Sequence, residues 1–213
     1  MKSLIIWSVV VLAIVGSLFA IYKVAQAPSG GSAGGVAPEV SEIDRTKGPK
    51  DATAVLIEYS DFQCPACASF FPAVEELNEE LSGELLFVYR HFPLPQHKNA
   101  ELTAYAAEAA GLQGKFFEMH DEIFKNQNEW AEEKDAKEFL KKYAQAVGLD
   151  VEKFLKDLDS REVKDKVSAD ISGALRAKVN ATPTFFLNGK KVEGFRTYDE
   201  FKNIVREAVR NGS

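Results

Sequence analysis

Two cysteines separated by two residues have the clearest chemistry in this sequence. They form the motif Cys64-Pro65-Ala66-Cys67 and are the only cysteines among the 213 residues. In the chain-entropy model, a disulfide across so short a loop stabilises a fold by only about 2 kcal/mol, less than a longer loop would give. Reversible redox chemistry therefore explains the pair better than an inert structural disulfide does.

The residues around the motif predict that Cys64 lies at the start of a helix. An apolar run over residues 53–59 is typical of a buried strand, and a polar turn follows it. Pro65 then suits the first turn of a helix. The free N–H groups and the dipole at a helix N-terminus lower a cysteine pKa from about 8.5 toward roughly 3.5 to 7.5. We therefore expect Cys64 to be the attacking thiol and Cys67, one turn further along, to be the resolving thiol.

Metal binding is the other chemistry open to a cysteine pair. A structural zinc site needs four ligands, and His91, His97 and His120 do not supply a second ligand pair at zinc-finger spacing. Soft thiolates also suit Cu(I), but no Met-rich or His-rich segment accompanies the motif. The sequence thus predicts no metal site, with a non-enzymatic Cu(I)-binding protein as the alternative. His91 and His97, which flank a proline-rich segment, are interpreted as loop residues.

Three blocks of this sequence resemble the DsbA-like branch of the thioredoxin superfamily. They are Glu-Tyr-Ser-Asp-Phe-Gln-Cys-Pro-Ala-Cys at residues 58–67, Tyr-Arg-His-Phe-Pro-Leu at 89–94, and Ala-Thr-Pro-Thr-Phe-Phe-Leu-Asn-Gly at 181–189. The resemblance implies an α/β protein with a thioredoxin fold, in which a central mixed β-sheet is flanked by helices and a helical subdomain is inserted. It also implies thiol–disulfide exchange in an extracytoplasmic compartment, with the redox-active Cys64–Cys67 disulfide and no cofactor.

The resemblance assigns further residues to the site. Thr182 and Pro183 match the family's cis-proline loop, which lies against the cysteine pair and holds an extended substrate segment through backbone hydrogen bonds. Glu58 matches a buried acid that accepts a proton beneath the resolving cysteine. From the residues alone, Glu58 could instead face solvent on an alternating strand, and Pro183 could open an edge strand. Pro65 and Ala66 are expected to modulate the redox potential, because strongly oxidising members often carry His where this chain has Ala66.

The amino-terminal segment predicts where the chemistry takes place. Residues 4–22 carry no charge and are long enough to cross a hydrocarbon core of about 30 Å. A cleaved signal peptide is the alternative to an anchor, because Ala25-Gln26-Ala27 has the form of a cleavage site. We expect a single-pass membrane protein with its catalytic domain outside the cytoplasm, or a secreted or periplasmic protein after cleavage. The predicted organisation is an anchor or signal segment at residues 1–24, a flexible Gly/Ser/Pro linker at 25–50, and the catalytic domain at 51–213.

The rest of the sequence fits the implied fold. Residues 84–91 predict a second strand, parallel to the first because the two complete a βαβ unit. The segment from about 98 to 179 has helical periodicity and predicts an insertion of four or five helices. Asn188-Gly189 predicts a β-hairpin turn, and a final helix is expected over residues 197–210. The predicted core of the insertion contains Phe116, Phe117, Phe124 and Trp130.

Charge and compartment limit the possible partners. The net charge is −6 with both signs interspersed, so no basic face for nucleic acid is expected. The expected partners are exported proteins with cysteines as clients, a membrane redox partner that regenerates the active state, and the membrane itself through the N-terminal helix. Disulfides persist outside the cytoplasm, which favours disulfide introduction. A thiol reductase or disulfide isomerase is the alternative within the same chemistry.

Overall fold

A computed structural model describes residues 39–212 of the chain. The predicted anchor and the first part of the predicted linker, up to residue 38, lie outside the described residues. Between residues 39 and 212, no helix combines the length and the apolar character needed to cross a membrane. The strands are β1 (Arg45–Lys47), β2 (Ala54–Ser60), β3 (Leu85–His91), β4 (Thr184–Leu187) and β5 (Lys190–Lys191). The helices are α1 (Pro65–Glu80), α2 (Ala100–Gly111), α3 (Phe116–Lys125), α4 (Gln127–Trp130), α5 (Lys137–Ala146), α6 (Val151–Asp157), α7 (Arg161–Arg176) and α8 (Tyr198–Asn211).

The strands form one mixed sheet with the order β1-β3-β2-β4-β5. Strands β2 and β3 run parallel, and the other neighbours are antiparallel. Leu56 and Phe87 belong to the apolar core on one face of the sheet, whereas Ile57 and Val88 belong to the core on the other. Both central strands are therefore apolar on their two faces, as buried parallel strands are. The predicted mixed sheet flanked by helices is confirmed.

The first strand lies inside the segment that the sequence predicted to be a flexible linker. Residues 45–47 pair antiparallel with residues 87–89 at one edge of the sheet. Just before them, Asp44 forms a buried ion pair of 2.8 Å with Arg90. The predicted boundary at residue 50 is therefore wrong for residues 44–47. The segment Arg-Thr-Lys lacks an apolar pattern because it is an edge strand, held by backbone pairing with β3 and by ion pairs rather than by apolar burial.

The helical insertion occupies the chain between β3 and β4, as predicted. The described residues place six helices there, from Ala100 to Arg176, where the sequence indicated four or five. Asn126 separates α3 from the short helix α4, which begins at Gln127. An unpredicted boundary follows α6, where the Ser160 side chain caps α7 by accepting a hydrogen bond from the N–H of Val163. Of the four predicted core aromatics, Phe116, Phe124 and Trp130 are buried, and Phe117 is partly buried.

The carboxyl-terminal hairpin and helix follow the sequence prediction closely. Asn188 and Gly189 both have positive φ angles, 48° and 76°, as a type I′ turn requires, and they connect β4 to β5. The side chain of Thr197 caps α8 by accepting a hydrogen bond from the N–H of Glu200. The buried face of α8 carries Phe201, Val205 and Val209, which join the same apolar core as α1.

Candidate active site

The two cysteines lie where β2 gives way to α1, at the carboxyl end of the parallel strands. Cys64 is the N-cap residue of α1, and Pro65 follows in the first turn. Both cysteines are free thiols in this structure. Cys64 retains 6 % of its surface exposed, whereas Cys67 is fully buried. A client thiol can therefore reach Cys64 more easily than Cys67.

The environment separates the acidities of the two thiols. The pKa of Cys64 is lowered to about 5 by several hydrogen bonds, of which the one from the Cys67 side chain has the largest effect, while burial opposes them. The Thr182 side chain and the backbone N–H groups of Cys67 and Ala66 lower it further. Burial raises the pKa of Cys67 well above its ordinary value, and the neighbouring Cys64 and Glu58 add to this rise. The helix amides therefore contribute as expected, although Cys67 has the larger effect on Cys64.

The predicted proline loop lies directly beside the reactive sulfur. The thiol of Cys64 donates a hydrogen bond of 3.4 Å from Sγ to the backbone carbonyl oxygen of Thr182. The peptide bond between Thr182 and Pro183 is cis. The hydroxyl of Thr182 is buried and makes no aligned hydrogen bond, although it is close enough to Cys64 to lower the pKa of that thiol. Pro183 precedes β4 and contributes to the loop against the cysteines rather than opening an edge strand.

Glu58 lies in the centre of the sheet beneath the cysteine pair. It is opposite Tyr89 on β3 and Phe185 on β4, and only 4 % of its surface is exposed. The solvent-facing alternative is therefore wrong. Burial raises the pKa of Glu58 to about 7, and the negative charge on Cys64 raises it too, while the Ser60 hydroxyl lowers it. A carboxyl group with this pKa can release or accept a proton near neutral pH.

A network of buried amides that the sequence analysis missed holds the backbone at residues 62–64. The Nε2 atom of Gln127 donates hydrogen bonds of 2.6 Å and 3.1 Å to the carbonyl oxygens of Phe62 and Cys64. The side chain of Gln63 spans two further segments, because Oε1 accepts from the N–H of Asn99 at 2.7 Å and Nε2 donates to a carbonyl of the insertion. The insertion therefore fixes the active-site turn directly. Both glutamines have polar residues nearby in sequence, so no local pattern marked either of them.

Asp61 anchors the same turn from the opposite side. This fully buried carboxylate accepts hydrogen bonds from the N–H of Gln63 at 2.8 Å and the N–H of Leu94 at 2.9 Å. It also lies 2.6 Å from Nδ1 of His97. His97 is thus a loop residue, as predicted, but one whose side chain supports the active-site turn.

The interpretation of His91 as a loop residue is wrong. It is the last residue of β3, it is 1 % exposed, and its Nε2 atom lies 3.0 Å from Oε1 of Glu108. His91, Glu108 and Asp170 have the types and spacing of metal ligands. Side-chain cations already neutralise these carboxylates, because Lys166 Nζ lies 2.6 Å from Asp170, and Arg45 forms an ion pair with Glu108. The cluster is a charge network that joins β1, β3, α2 and α7.

Comparison with known proteins places the chain in a known family. Residues 41–207 match the model of a family described as thioredoxin. The crystal structure of oxidised BdbD from Bacillus subtilis superposes with a TM-score of 0.72 at 23% identity, covering 83% of this chain and 99% of BdbD. Wolbachia pipientis alpha-DsbA1 gives a TM-score of 0.72 at 22% identity, covering 81% of this chain and 94% of that protein. At these identities the likenesses show the fold.

The curated relatives are larger proteins. The Na(+)/H(+) antiporter NhaA 1 of Mycobacterium sp. (strain KMS) is 40% identical over 164 residues, which cover 75% of this chain and 26% of the antiporter. The antiporter NhaA of Herminiimonas arsenicoxydans is 38% identical over 177 residues, covering 83% of this chain and 27% of that protein. The chain therefore spans about a quarter of the length of the curated relatives it matches.

Proposed function

The chain belongs to the thioredoxin family, and we propose that it is a DsbA-like, extracytoplasmic thiol:disulfide oxidoreductase that introduces disulfide bonds into exported proteins. The observation that carries the proposal is the position of Cys64 at the start of α1, with the carbonyl oxygen of Thr182 3.4 Å from its sulfur. An accessible, acidified thiol beside a buried, weakly acidic one is the arrangement that directs attack to a single sulfur.

The reaction begins from the disulfide form of the pair. A client thiolate attacks Cys64 Sγ, a mixed disulfide forms, and the electron pair of the broken bond leaves with Cys67. The second client thiolate then attacks the mixed disulfide at the client sulfur, which releases Cys64 as a thiolate and leaves the client oxidised. The protein is now reduced by two electrons. A membrane redox partner must take up these electrons to regenerate the disulfide.

The low pKa of Cys64 supports the oxidising direction. A dithiol whose reduced form is stabilised has a disulfide that is a stronger oxidant, which is how DsbA reaches about −120 mV while thioredoxin lies near −270 mV. The hydrogen bond from Cys67 and the amides that open α1 stabilise the reduced form here, with a Cys64 pKa of about 5. Pro65 and Ala66 modulate this effect, since the N–H of Ala66 is one of the donors to Cys64.

Client binding and regeneration complete the proposal. Thr182 and Pro183 hold an extended client segment beside Cys64, and Glu58 exchanges a proton with Cys67. The anchor expected over residues 4–22 keeps the domain near its membrane partner. Since the chain spans about a quarter of the related antiporters, ion transport is not part of the proposal.

The decisive experiment mixes the oxidised protein with a reduced, unfolded client that contains two cysteines. We expect the client to gain a disulfide as Cys64–Cys67 is reduced. Cys64→Ser and Cys67→Ser should both leave the client reduced, because neither variant can form the disulfide that accepts the electrons. Equilibration with glutathione then distinguishes the alternatives, because a potential close to about −270 mV indicates a reductase. Tight Cu(I) binding by the reduced protein without client oxidation contradicts the proposal.

A further inference from the structure

Three buried hydroxyl groups among the described residues have no hydrogen-bond partner, and all three border the cysteine pair. They are Oγ of Ser60, the phenol of Tyr89 and Oγ1 of Thr182. Unpaired buried polar atoms destabilise a fold and are therefore rare in proteins. Their concentration around one reactive site indicates that these hydroxyls find partners in another state of the reaction. Thr182 lies against Cys64, while the other two lie deeper.

The strand register brings the two deeper hydroxyls to Glu58. Tyr89 of β3 is the direct neighbour of Glu58 across the parallel β2–β3 pair. Ser60 lies two residues after Glu58 on β2, and because side chains alternate along a strand, it points to the same face. Cys67 belongs to the apolar core on that face, together with Leu56 and Phe87 of the two strands. Glu58, Ser60, Tyr89 and Cys67 therefore share one enclosed space between the sheet and α1.

Aromatic packing fixes the direction of the Tyr89 phenol. The Tyr89 ring is stacked on Phe62 with 5.3 Å between centroids. The edges of His120 and His91 lie against it at 4.7 Å and 5.2 Å. A ring held on several sides cannot turn its hydroxyl away. The hydroxyl stays close to Glu58 and Cys67, whose charges both raise the pKa of Tyr89, in addition to the larger effect of burial.

The Ser60 hydroxyl is on the same buried face of the sheet as the two groups that exchange a proton. It lowers the pKa of Glu58, of Cys67 and of Tyr89, so it is within reach of all three. It nevertheless makes no aligned hydrogen bond to any of them in this state. A hydroxyl can donate and accept at once, and it rotates at little cost, so it can pass a proton between two neighbours.

From this placement we propose that the Ser60 hydroxyl passes the proton between Glu58 and Cys67, and that the Tyr89 hydroxyl positions Glu58 for this transfer. The inference rests on the proposed thiol–disulfide exchange. When a client thiolate attacks Cys64, the Cys64–Cys67 bond breaks and its electron pair remains on Cys67. Ser60 donates its proton to Cys67 and takes the proton of the Glu58 carboxyl group. Cys67 becomes a neutral thiol, and Tyr89 donates a hydrogen bond to the resulting Glu58 carboxylate.

The charged groups around Glu58 are few, so a titration of this residue can be interpreted. On β2 itself the neighbour is the neutral hydroxyl of Ser60, and β4 presents the apolar ring of Phe185. Asp61, just after β2, acts on Tyr89. The other titratable groups that act on Glu58 or lie beside it belong to α1, its N-cap residue and β3. They are Cys64, Cys67, Glu75 and Tyr89.

The test compares Ser60→Ala, Ser60→Thr and Tyr89→Phe in the full-length protein. One measurement is the carboxyl ¹³C titration of Glu58, and the other is the pH dependence of the rate at which reduced glutathione cleaves the Cys64–Cys67 disulfide. We expect Ser60→Ala to raise the pKa of Glu58 from about 7 by about one unit. The part of the rate profile that follows the titration of Glu58 should move by the same amount, and disulfide cleavage should be about tenfold slower. Ser60→Thr keeps the hydroxyl and is expected to preserve both properties.

Tyr89→Phe separates positioning from relay. We expect it to raise the pKa of Glu58, because the carboxylate loses a hydrogen-bond donor. The proton can still pass through Ser60, so the rate of disulfide cleavage should fall less than in Ser60→Ala. Matched controls are Tyr143→Phe, a buried tyrosine of the insertion, and Ser168→Ala on an exposed position of α7. Both controls are expected to leave the Glu58 titration and the rate profile unchanged. If Ser60→Ala does not fold, Tyr89→Phe still tests the positioning role. Ser60→Thr must then have the same Glu58 pKa and the same rate profile as the unaltered protein, and a different rate profile would contradict the relay.

The outcomes separate this inference from the function on which it rests. If the unaltered protein exchanges disulfides but Ser60→Ala has the same profile and the same Glu58 pKa, the relay is overturned and the function stands. A uniform loss of rate without a shift of the Glu58 limb also overturns the relay, because a structural defect would have that signature. If the unaltered protein exchanges no disulfide, the proposed function fails, and the relay fails with it.

Discussion

The side-chain amide of Gln127 donates a hydrogen bond of 3.1 Å to the backbone carbonyl oxygen of Cys64. Gln127 begins the short helix α4 inside the insertion, 63 residues further along the chain. The insertion is thus bonded to the residue that carries the reactive sulfur. Its role goes beyond covering the sheet, because it helps to hold the N-cap geometry of α1.

We expect Gln127→Ala to destabilise the fold and to disturb the cysteine pair. The substitution removes the side-chain donor to the carbonyl oxygen of Phe62, whereas the carbonyl oxygen of Cys64 keeps the N–H of Ala68 as a donor. The expected loss of stability is roughly 1–3 kcal/mol. Urea unfolding measures the loss of stability, and equilibration with glutathione measures the change in potential. Gln113→Ala is the matched control, since Gln113 also links two segments through a backbone carbonyl, but at an exposed site between α2 and α6. Equal effects of the two substitutions on the potential would contradict the expectation.

The reduced protein should contain one thiol that titrates near pH 5. The Cys67 side chain is the largest cause of this low pKa of Cys64, so Cys67→Ala is expected to move the midpoint toward the ordinary value of about 8.5. Thiolate absorbance against pH measures both midpoints. The pKa of Cys64 is lower in the folded protein than in the unfolded chain, so the thiolate stabilises the reduced fold. This contribution is complete at pH values above the unfolded-state pKa and is lost as the pH falls through about 5. A midpoint near 8.5 in the unaltered protein would rule out an activated Cys64.

Glu58→Gln should make the protein more stable and less active at alkaline pH. The folded-state pKa of Glu58 is raised to about 7 from 4.5, so its contribution to stability is present below the unfolded pKa and is lost as the pH rises through 7. Removing the carboxylate is expected to raise the free energy of unfolding by up to about 3 kcal/mol at pH 8, with little gain at pH 4. Denaturant unfolding at the two pH values measures the difference.

The control for this substitution is Glu79→Gln, at an exposed position on α1. It should change neither the pH dependence of stability nor the rate of disulfide exchange. A gain in stability for Glu58→Gln that is the same at pH 4 and pH 8 would show that the carboxyl group of Glu58 does not titrate in this range.

Asp44→Ala tests whether the segment before β1 belongs to the folded domain. Its ion pair with Arg90 has side chains that are 2% and 5% exposed, and removing one member of such a pair is expected to cost roughly 3 kcal/mol. Glu42→Ala is the control, because the pair of Glu42 with Lys50 is 89% and 76% exposed and contributes less than about 1 kcal/mol. Thermal or urea unfolding of the two variants compares them directly. Similar small losses would mean that residue 44 is outside the cooperative unit.

The sequence predicted those parts of the molecule that depend on local pattern. Neighbouring residues are enough to specify three of these features. The apolar run predicts the strand before the motif, Pro65 predicts the helix that starts after Cys64, and Asn188-Gly189 predicts the hairpin turn. The resemblance added what no local pattern contains, namely that Pro183 lies beside a cysteine far away in sequence. Strand β1 was not predicted, because its three polar residues form an edge strand and show no apolar periodicity.

The supporting residues of the site escaped prediction for a related reason. Asp61, Gln63 and Gln127 act through backbone groups of distant segments, and such bonds leave no spacing in the sequence. His91 was assigned to a loop although the predicted strand over residues 84–91 includes it, because nothing near it in sequence shows that the histidine is buried against Glu108. Polar residues that are buried by tertiary contacts look like loop residues when only their neighbours in sequence are considered.

The contact between Cys64 and Thr182 joins residues 118 positions apart. During synthesis, the cysteines leave the ribosome long before Gln127, Thr182 and Pro183 exist. A nascent chain therefore carries two thiols that lack the neighbours supplied by the later part of the chain. Thr182 can lower the pKa of Cys64 only after the last part of the chain has docked, whereas the larger effect of Cys67 needs only the start of α1.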